Sequence, residues 1–165
     1  MCIQDILRSR SVWFEPLLHR PESSASRRAH SVHLPGRAVA KCVLVRADCG
    51  FVLAVLAATC RIDWSKLETA LGLQPLGLAD EVDAERLFGD CESGTVPPFG
   101  HLYGVPTLVD SGLLAGTEIV FDAHMRHDGI RMRLQDYLAV ESPQVADFAE
   151  TITPRRARAS RRRAG

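Results

Sequence analysis

Residues 39–56 read VAKCVLVRADCGFVLAVL, and this stretch decides the predicted fold. Two apolar runs rich in β-branched residues flank the turn-forming segment Asp48-Cys49-Gly50. We therefore predict strands over residues 38–46 and 51–59 that pair as a hairpin. Because predicted helices alternate with further short strands after the hairpin, the pattern favours an α/β fold, a single compact domain with a mixed β-sheet flanked by helices.

Helix caps and periodicity predict the remaining elements. Asp63 and Asp80 are suited to cap two helices, the first of which ends at Gly72. The other patterns predict helices over residues 3–10 and 135–140, an extended piece over 12–15, and strands over 103–110, 116–122 and 130–134. We expect the later strands to extend the sheet that contains the hairpin.

Residues 91–101 read CESGTVPPFGH, a composition that excludes a regular helix or strand. Pro97 and Pro98 fix φ and remove two backbone donors, while Gly94 and Gly100 allow sharp turns at either end. Such a loop has lost much of its conformational entropy before a ligand arrives, so it suits the wall of a preformed pocket. The alternative is a rigid turn with a purely structural role.

The order of these motifs resembles one known family. The turn Pro35-Gly36-Arg37, the pair Ala40-Lys41, the hairpin and the loop from Gly94 to Gly100 follow one another as in the YbaK and prolyl-tRNA-synthetase-associated domain family. This resemblance implies a curved mixed sheet and a trans-editing deacylase that hydrolyses the ester of a mischarged tRNA, with Cys- or Ala-tRNA(Pro) as candidate substrates. It covers an editing domain over residues 1–143 and leaves residues 144–165 as a basic tail that we expect to be disordered.

Lys41 is the first candidate catalytic residue. A single lysine in an apolar strand often extends its ammonium group to water, which is the ordinary structural explanation. The resemblance instead implies that Lys41 lines the substrate pocket and is needed for deacylation. Ester hydrolysis builds negative charge on the carbonyl oxygen, so we expect the backbone N–H groups of Phe99, Gly100 and His101 to act as donors to that oxygen.

The predicted substrate-binding residues lie in the loop and after the strand over 116–122. They are Gly94, Pro97, Pro98, His101, Asp122 and His124. For His101 an exposed loop tip is the alternative to a pocket residue, and it is the more common role of a lone loop histidine. The resemblance implies a glycine where His124 stands and a histidine near Arg126, so we expect the larger His124 side chain to narrow the pocket or change the amino acid that fits. The rival hypothesis is a domain of the same fold that binds aminoacyl-tRNA or an amino acid with weakened turnover.

No cofactor and no metal site are predicted. The five cysteines form no Cys-x-x-Cys pair, and the pairs His30/His33 and His124/His127 are weak ligand patterns. The sequence contains no Gly-x-Ser-x-Gly motif, so water or a group of the substrate is the expected nucleophile. Cys91 has no His or Lys close to it in the sequence, which favours a structural role for its thiol.

Charge is strongly segregated along the chain, although the formal net charge is +0. Residues 1–46 contain eight Lys or Arg against three Asp or Glu, and residues 47–153 contain six against seventeen. Residues 154–165 contain six Arg and no acid. This distribution predicts that the basic ends meet an anionic partner.

Aminoacylated tRNA is the predicted partner, with a synthetase as a further expectation. Arg27, Arg28 and Arg37 are candidate phosphate contacts, while a solvated helix face over the polar residues 20–30 is the alternative for the first two. No apolar run is long enough to cross a bilayer and no signal peptide is recognisable, which predicts a cytoplasmic protein without membrane partners. A third hypothesis is nonspecific RNA binding through the arginine-rich tail.

Overall fold

The computed structural model describes residues 2–18, 36–125 and 127–152. Its helices are α1 (Ile3–Ser9), α2 (Trp64–Leu71), α3 (Glu81–Leu87) and α4 (Leu134–Glu141). Its strands are β1 (Phe14–Leu18), β2 (Ala40–Ala47), β3 (Gly50–Ala57), β4 (Cys60–Ile62), β5 (Gly77–Leu78), β6 (Thr107–Asp110), β7 (Glu118–Asp122), β8 (Asp128–Arg133), β9 (Gln144–Ala146) and β10 (Ala149–Thr151). The predicted helix within residues 20–30, with Arg27 and Arg28, and the end of the basic tail lie outside the described residues.

The predicted hairpin is confirmed at the centre of the main sheet. β2 and β3 pair antiparallel, from Ala40 opposite Ala57 to Ala47 opposite Gly50. The sheet has the order β5-β2-β3-β6-β9, in which β6 runs parallel to β3 and β9 runs parallel to β6. The sheet is therefore mixed, and the predicted α/β class is confirmed.

Both faces of the hairpin are covered by other parts of the fold. Ala40 and Cys42 of β2 pack into the larger core cluster, whereas Val43 and Val45 contact a second cluster that includes Leu67 of α2. Alternate residues of a strand point to opposite faces, so each face contributes its own apolar set. This double burial explains why the run is almost continuously apolar rather than alternating.

The strands β7 and β8 do not join the main sheet, contrary to the sequence-based expectation. They form a separate antiparallel sheet of order β1-β8-β7, which meets the residue just before β2 through a parallel bridge between Val39 and Val120. The separation begins at the end of β6, where the Asp110 carboxylate accepts a hydrogen bond from the Gly112 N–H at 2.9 Å. That contact starts a 3-10 turn over Ser111–Ala115, which redirects the chain before β7.

Local signals predicted the two capped helices correctly. The Asp63 carboxylate accepts from the N–H of Lys66 at 3.2 Å, and Asp80 accepts from the N–H of Asp83 at 2.9 Å. Gly72 follows α2 with a φ of 65°, the left-handed conformation that commonly ends a helix. In the part of the chain that is described, no helix has the length and apolarity needed to cross a membrane.

The strand predicted over residues 103–110 begins only at Thr107. The preceding residues Gly100–Tyr103 form a 3-10 turn, and Gly104 then takes a φ of 68°. This φ lies in the left-handed region and far from the extended range, so the pairing with β3 starts after Gly104.

The predicted boundary at Pro143 falls before two strands that belong to the fold. β9 pairs with β6, and β10 pairs with β4. Between them Phe148 is 0% exposed, and the N–H groups of Phe148 and Ala149 donate to Asp110 Oδ1 at 2.9 and 2.8 Å. The ordered fold therefore extends through Thr151, and the prediction of a disordered tail is wrong for residues 144–151.

Candidate functional site

The loop over residues 91–100 is anchored to the turn that follows β7. The N–H of Glu92 donates to the carbonyl oxygen of His124 at 2.7 Å. The hydroxyl of Thr95 donates to the same carbonyl at 2.6 Å. Two hydrogen bonds to one backbone atom therefore place the loop next to His124. The two segments that were predicted to bind the substrate are thus neighbours in the fold.

The members of the loop divide between the surface and the core. Gly94 is exposed, with a φ of 81°, whereas Pro97 and Pro98 are buried. The carbonyl oxygen of Pro98 accepts from the Tyr137 hydroxyl at 2.9 Å. Phe99 is 1% exposed, and its ring lies edge-on to that of Tyr137 at 5.4 Å between centroids. The second half of the loop is thus part of the core.

The three backbone N–H groups expected to bind the ester oxygen already have acceptors within the protein. Phe99 donates to a carbonyl oxygen of the loop at 2.8 Å. Gly100 donates to Thr107 Oγ1 at 3.1 Å, and His101 donates to Glu141 Oε1 at 3.2 Å. Contrary to expectation, the structure does not present these groups as an oxyanion site, because none of them is aimed at a ligand position.

Gly100 and His101 are fixed instead by a buried carboxylate. Glu141 is 6% exposed, and it accepts from the Thr107 hydroxyl and contacts His101 Nδ1. A Cβ on Gly100 would lie 2.5 Å from Thr107 Oγ1 and closer still to the carbonyl oxygen of Val105. Gly100 and His101 therefore connect the loop to α4 and β6.

His124 has a backbone conformation that glycine adopts without strain. Its φ is 76°, in the left-handed region where a side chain is unfavourable. This geometry explains why the family resemblance implies glycine at the position. Here the side chain is retained and is 9% exposed.

The His124 ring belongs to a cluster of four polar side chains, Asp90, Cys91, Tyr103 and His124, called here the Asp90 cluster. His124 Nε2 lies 2.9 Å from the Tyr103 hydroxyl and 3.7 Å from Asp90 Oδ2. Cys91 Sγ lies 3.5 Å from the Tyr103 hydroxyl and 3.7 Å from Asp90 Oδ1. Cys91 has no His or Lys close to it in the sequence, but the fold brings His124 near its thiol.

Burial keeps three groups of the Asp90 cluster, His124, Cys91 and Tyr103, uncharged near neutral pH. It lowers the pKa of His124 below its ordinary value, and the nearby Asp90 opposes this only in part. Burial also raises the pKa of the Cys91 thiol to about 11 and raises that of Tyr103. A thiol with a raised pKa is a poor nucleophile, so the cluster does not resemble an activated cysteine site.

Lys41 is half-buried on β2, and burial lowers the pKa of its ammonium group. Its side chain points to the face opposite Ala40 and Cys42, which pack in the same cluster as Phe99. The structure therefore does not bring Lys41 and the Phe99 ring together. Among the described residues, the Lys41 ammonium group has no hydrogen-bond or ion-pair partner.

Lys41 and Asp122 lie at the junction of the two larger sheets. Val39 and Val120 form the parallel bridge there, and Lys41 and Asp122 each follow two residues later on the same sides of their strands. Asp122 is 8% exposed, and the predicted phosphate contact Arg37 is exposed in the turn before β2. Lys41 and Asp122 therefore each lie two residues beyond this bridge, and Arg37 precedes it along the chain.

Two sequence comparisons identify the class of the protein. The profile of the aminoacyl-tRNA editing domain family matches residues 19–140. The Escherichia coli (strain K12) protein Multifunctional Ser/Thr-tRNA deacylase ProXp-y is 32% identical over 101 residues, which is 61% of this chain. The aligned residues span 60% of that relative's own length.

Solved structures agree with the profile. A crystal structure described as a candidate trans-editing enzyme for prolyl tRNA synthetase superposes with a TM-score of 0.76 at 26% identity, covering 90% of this chain and 94% of that one. A chain from a study of epitope backbone grafting on scaffold proteins has a TM-score of 0.77 at 25% identity, covering 90% and 95%. The chain belongs to the aminoacyl-tRNA editing domain family, and its sequence-based identification as a YbaK-like domain is confirmed.

Proposed function

We propose that this chain is an aminoacyl-tRNA deacylase that hydrolyses the ester of a mischarged tRNA. The observation that carries the proposal is the half-buried Lys41 ammonium group, which has no partner among the described residues of a tRNA-editing domain. A partly desolvated cation is costly unless an anion compensates it. A phosphate of the terminal nucleotide, next to the aminoacyl ester, supplies that anion.

Lys41 orients the acceptor end and stabilises the charge that develops during hydrolysis. Water attacks the carbonyl carbon, the bond to the ribose oxygen breaks, and the products are a free amino acid and a tRNA with its hydroxyl restored. Asp122 is our candidate acceptor for the amino group of the substrate. Its support is that Asp122 and Lys41 each lie two residues beyond the bridge between Val39 and Val120 that joins the two sheets.

The proposed substrates carry small amino acids. Sequence resemblance favours Cys- or Ala-tRNA(Pro), and the Escherichia coli relative is named for Ser/Thr-tRNA. A panel of Cys-, Ala-, Ser- and Thr-charged tRNAs therefore covers both possibilities. In this proposal the protein acts in the cytoplasm, Arg37 and the basic segments with Arg27 and Arg28 hold the tRNA, and a synthetase is a further partner.

Lys41→Ala tests the proposal on this panel. Loss of the cation is expected to lower the cleavage rate by about 100-fold or more, because one donor to a developing charge is commonly worth that much. The matched control is Lys66→Ala, since Lys66 is the other lysine of the chain and is exposed in an ion pair with Asp147 at 3.0 Å. Equal cleavage by both variants would exclude the role of Lys41.

A second candidate function is binding of aminoacyl-tRNA with weakened turnover. It is favoured by His124, which fills a position suited to glycine with a buried imidazole beside the loop. In this case the wild-type protein binds a charged tRNA without cleaving it, while His124→Gly cleaves it. Cleavage by the wild type at the rate of the variant would exclude this alternative.

A further inference from the structure

We propose that Asp90, Cys91 and His124 form a binding site for one zinc ion. Each residue offers one ligand atom, and these atoms all lie within 4.8 Å of one another. The proposed zinc site contains neither Lys41 nor Asp122, the two residues assigned to deacylation above. Zinc binding is detected without any deacylation, so the two proposals can fail separately.

The distances in the Asp90 cluster suit a tetrahedral ion. Zinc bonds of roughly 2.0–2.3 Å to N, O and S atoms separate neighbouring tetrahedral ligands by about 3.3–3.8 Å. His124 Nε2 lies 3.7 Å from Asp90 Oδ2, and Cys91 Sγ lies 3.7 Å from Asp90 Oδ1. Because these two distances involve different Asp90 oxygens, an ion held by one of them requires rotation of the carboxylate, and the three ligand atoms, which lie within 4.8 Å of one another, then move closer around the ion.

The chemistry of the ligand set also favours zinc over harder cations. Imidazole nitrogen and thiolate sulfur select borderline metals, whereas magnesium and calcium prefer oxygen ligands throughout. As zinc binds, the Cys91 thiol releases its proton to solvent and the thiolate ligates the metal. The His124 imidazole binds the ion through Nε2 in its neutral form.

Three protein ligands leave one coordination position for a water molecule. Asp90 and His124 line an open groove of about 470 Å³ together with Gln4 and Met125, so solvent reaches the site from this side. An open fourth position is the arrangement found in zinc sites that bind or activate small molecules.

Tyr103 becomes an outer partner of the ion. Its hydroxyl lies 2.9 Å from His124 Nε2 and 3.5 Å from Cys91 Sγ. When Nε2 binds zinc, the Tyr103 hydroxyl moves away from this nitrogen and donates a hydrogen bond to the Cys91 thiolate. Such partners hold metal ligands in orientation.

The alternative is a purely structural cluster joined by the Tyr103 hydroxyl. That hydroxyl already contacts both the ring and the thiol, so packing alone accounts for the proximity. It does not account for the retention of a side chain at a φ of 76°, where glycine has no strain. A metal ligand gives His124 a function that offsets this strain.

The test uses the untagged full-length protein, titrated with Zn²⁺ against a chromophoric chelator and separately with Co²⁺. We expect one ion per chain and, for Co²⁺, a thiolate charge-transfer band. Cys91→Ser should remove that band. His124→Gly, which suits the local φ, should weaken zinc binding by about 100-fold or more, since loss of an outer partner alone costs about 10–100-fold.

Matched controls are Cys49→Ser and His127→Ala, which alter an exposed thiol and an exposed imidazole outside the cluster. Both control variants should bind zinc with the affinity of the wild-type protein. The proposal is overturned if the wild type takes up no zinc in competition with the chelator. It is also overturned if the Cys91 and His124 variants bind zinc with unchanged affinity, because the ion would then lie elsewhere. Circular dichroism verifies that each variant is folded.

Discussion

Gly100 illustrates how one residue ties the loop to the sheet. Its N–H donates to Thr107 Oγ1, and the space for a Cβ is taken by that oxygen and by the carbonyl oxygen of Val105. We predict that Gly100→Ala lowers the free energy of unfolding by about 1–3 kcal/mol, because overpacking against the backbone cannot relax cheaply. Urea denaturation measures the change.

Gly77→Ala is the control for this substitution. No atom lies within 4 Å of a Cβ built on Gly77, and its φ is ordinary. Its unfolding free energy should change by less than about 0.5 kcal/mol, as at most surface positions. If the two variants were equally stable, the close contacts at Gly100 would not be responsible.

Single residues also show where sequence reasoning succeeds and where it stops. Lys41 was identified as a candidate because a lone cation in an apolar strand is conspicuous in the sequence. Asp90 and Tyr103 were missed, because they approach His124 only through contacts between distant segments. The same holds for the N–H of His101, whose acceptor Glu141 lies 40 residues away.

The short strands β9 and β10 show the importance of elements that leave little trace in the sequence. Phe148 lies between them, 0% exposed, in the cluster that covers α2. We predict that Phe148→Ala lowers the free energy of unfolding by about 3–5 kcal/mol, the usual range for a buried aromatic side chain. Thermal and urea denaturation of the full-length variant measure this.

Val145→Ala serves as the neighbouring control. Val145 is 46% exposed on β9, so less apolar contact is lost. A destabilisation as large as that of Phe148→Ala would mean that the whole segment, rather than one buried ring, determines stability.

The elements that were predicted correctly carry local signals, and the others do not. β2 and β3 have long apolar runs around a turn, and Asp63 caps α2 at the position its sequence indicates. β9 and β10 have three residues each, too few for an alternating pattern to be recognised. Their positions depend on backbone donors that reach the buried Asp110 side chain.

At the scale of the whole molecule, charge segregation predicts a marked effect of salt on tRNA binding. Six arginines lie after residue 153, and a chain ending at Ile152 retains β10 while losing them. If these arginines contact phosphates, log Kd of the full chain rises steeply with log salt, by roughly 0.7–0.9 for each phosphate contact. Filter binding at several salt concentrations measures the slope of log Kd against log salt for the full chain and for the chain that ends at Ile152.

For the chain that ends at Ile152, the slope of log Kd against log salt should be distinctly shallower. Its cleavage of small ester substrates should be unchanged. Identical slopes for the two chains would exclude the tail from tRNA binding. A cut at Pro143 would not give this answer, because it also removes Phe148 and the strands on either side of it.

The division into sheets was beyond sequence reasoning for a global reason. β1 supplies the outer strand of the smaller sheet, with Phe14 opposite Met132, so the two partners lie more than a hundred residues apart along the chain. Strand identity is a local property, whereas the choice of partner depends on the assembled core. The mixed α/β class was therefore predictable, and the separate sheet was not.

The attachment of the loop to the carbonyl oxygen of His124 has an evolutionary consequence. Glu92 and Thr95 bind a group that every amino acid carries, so the side chain at position 124 can change without releasing the loop. Only the positive φ restricts the choice, favouring glycine and then asparagine, aspartate and histidine. Lineages of this fold can thus acquire new chemistry at position 124 while the inherited scaffold stays intact.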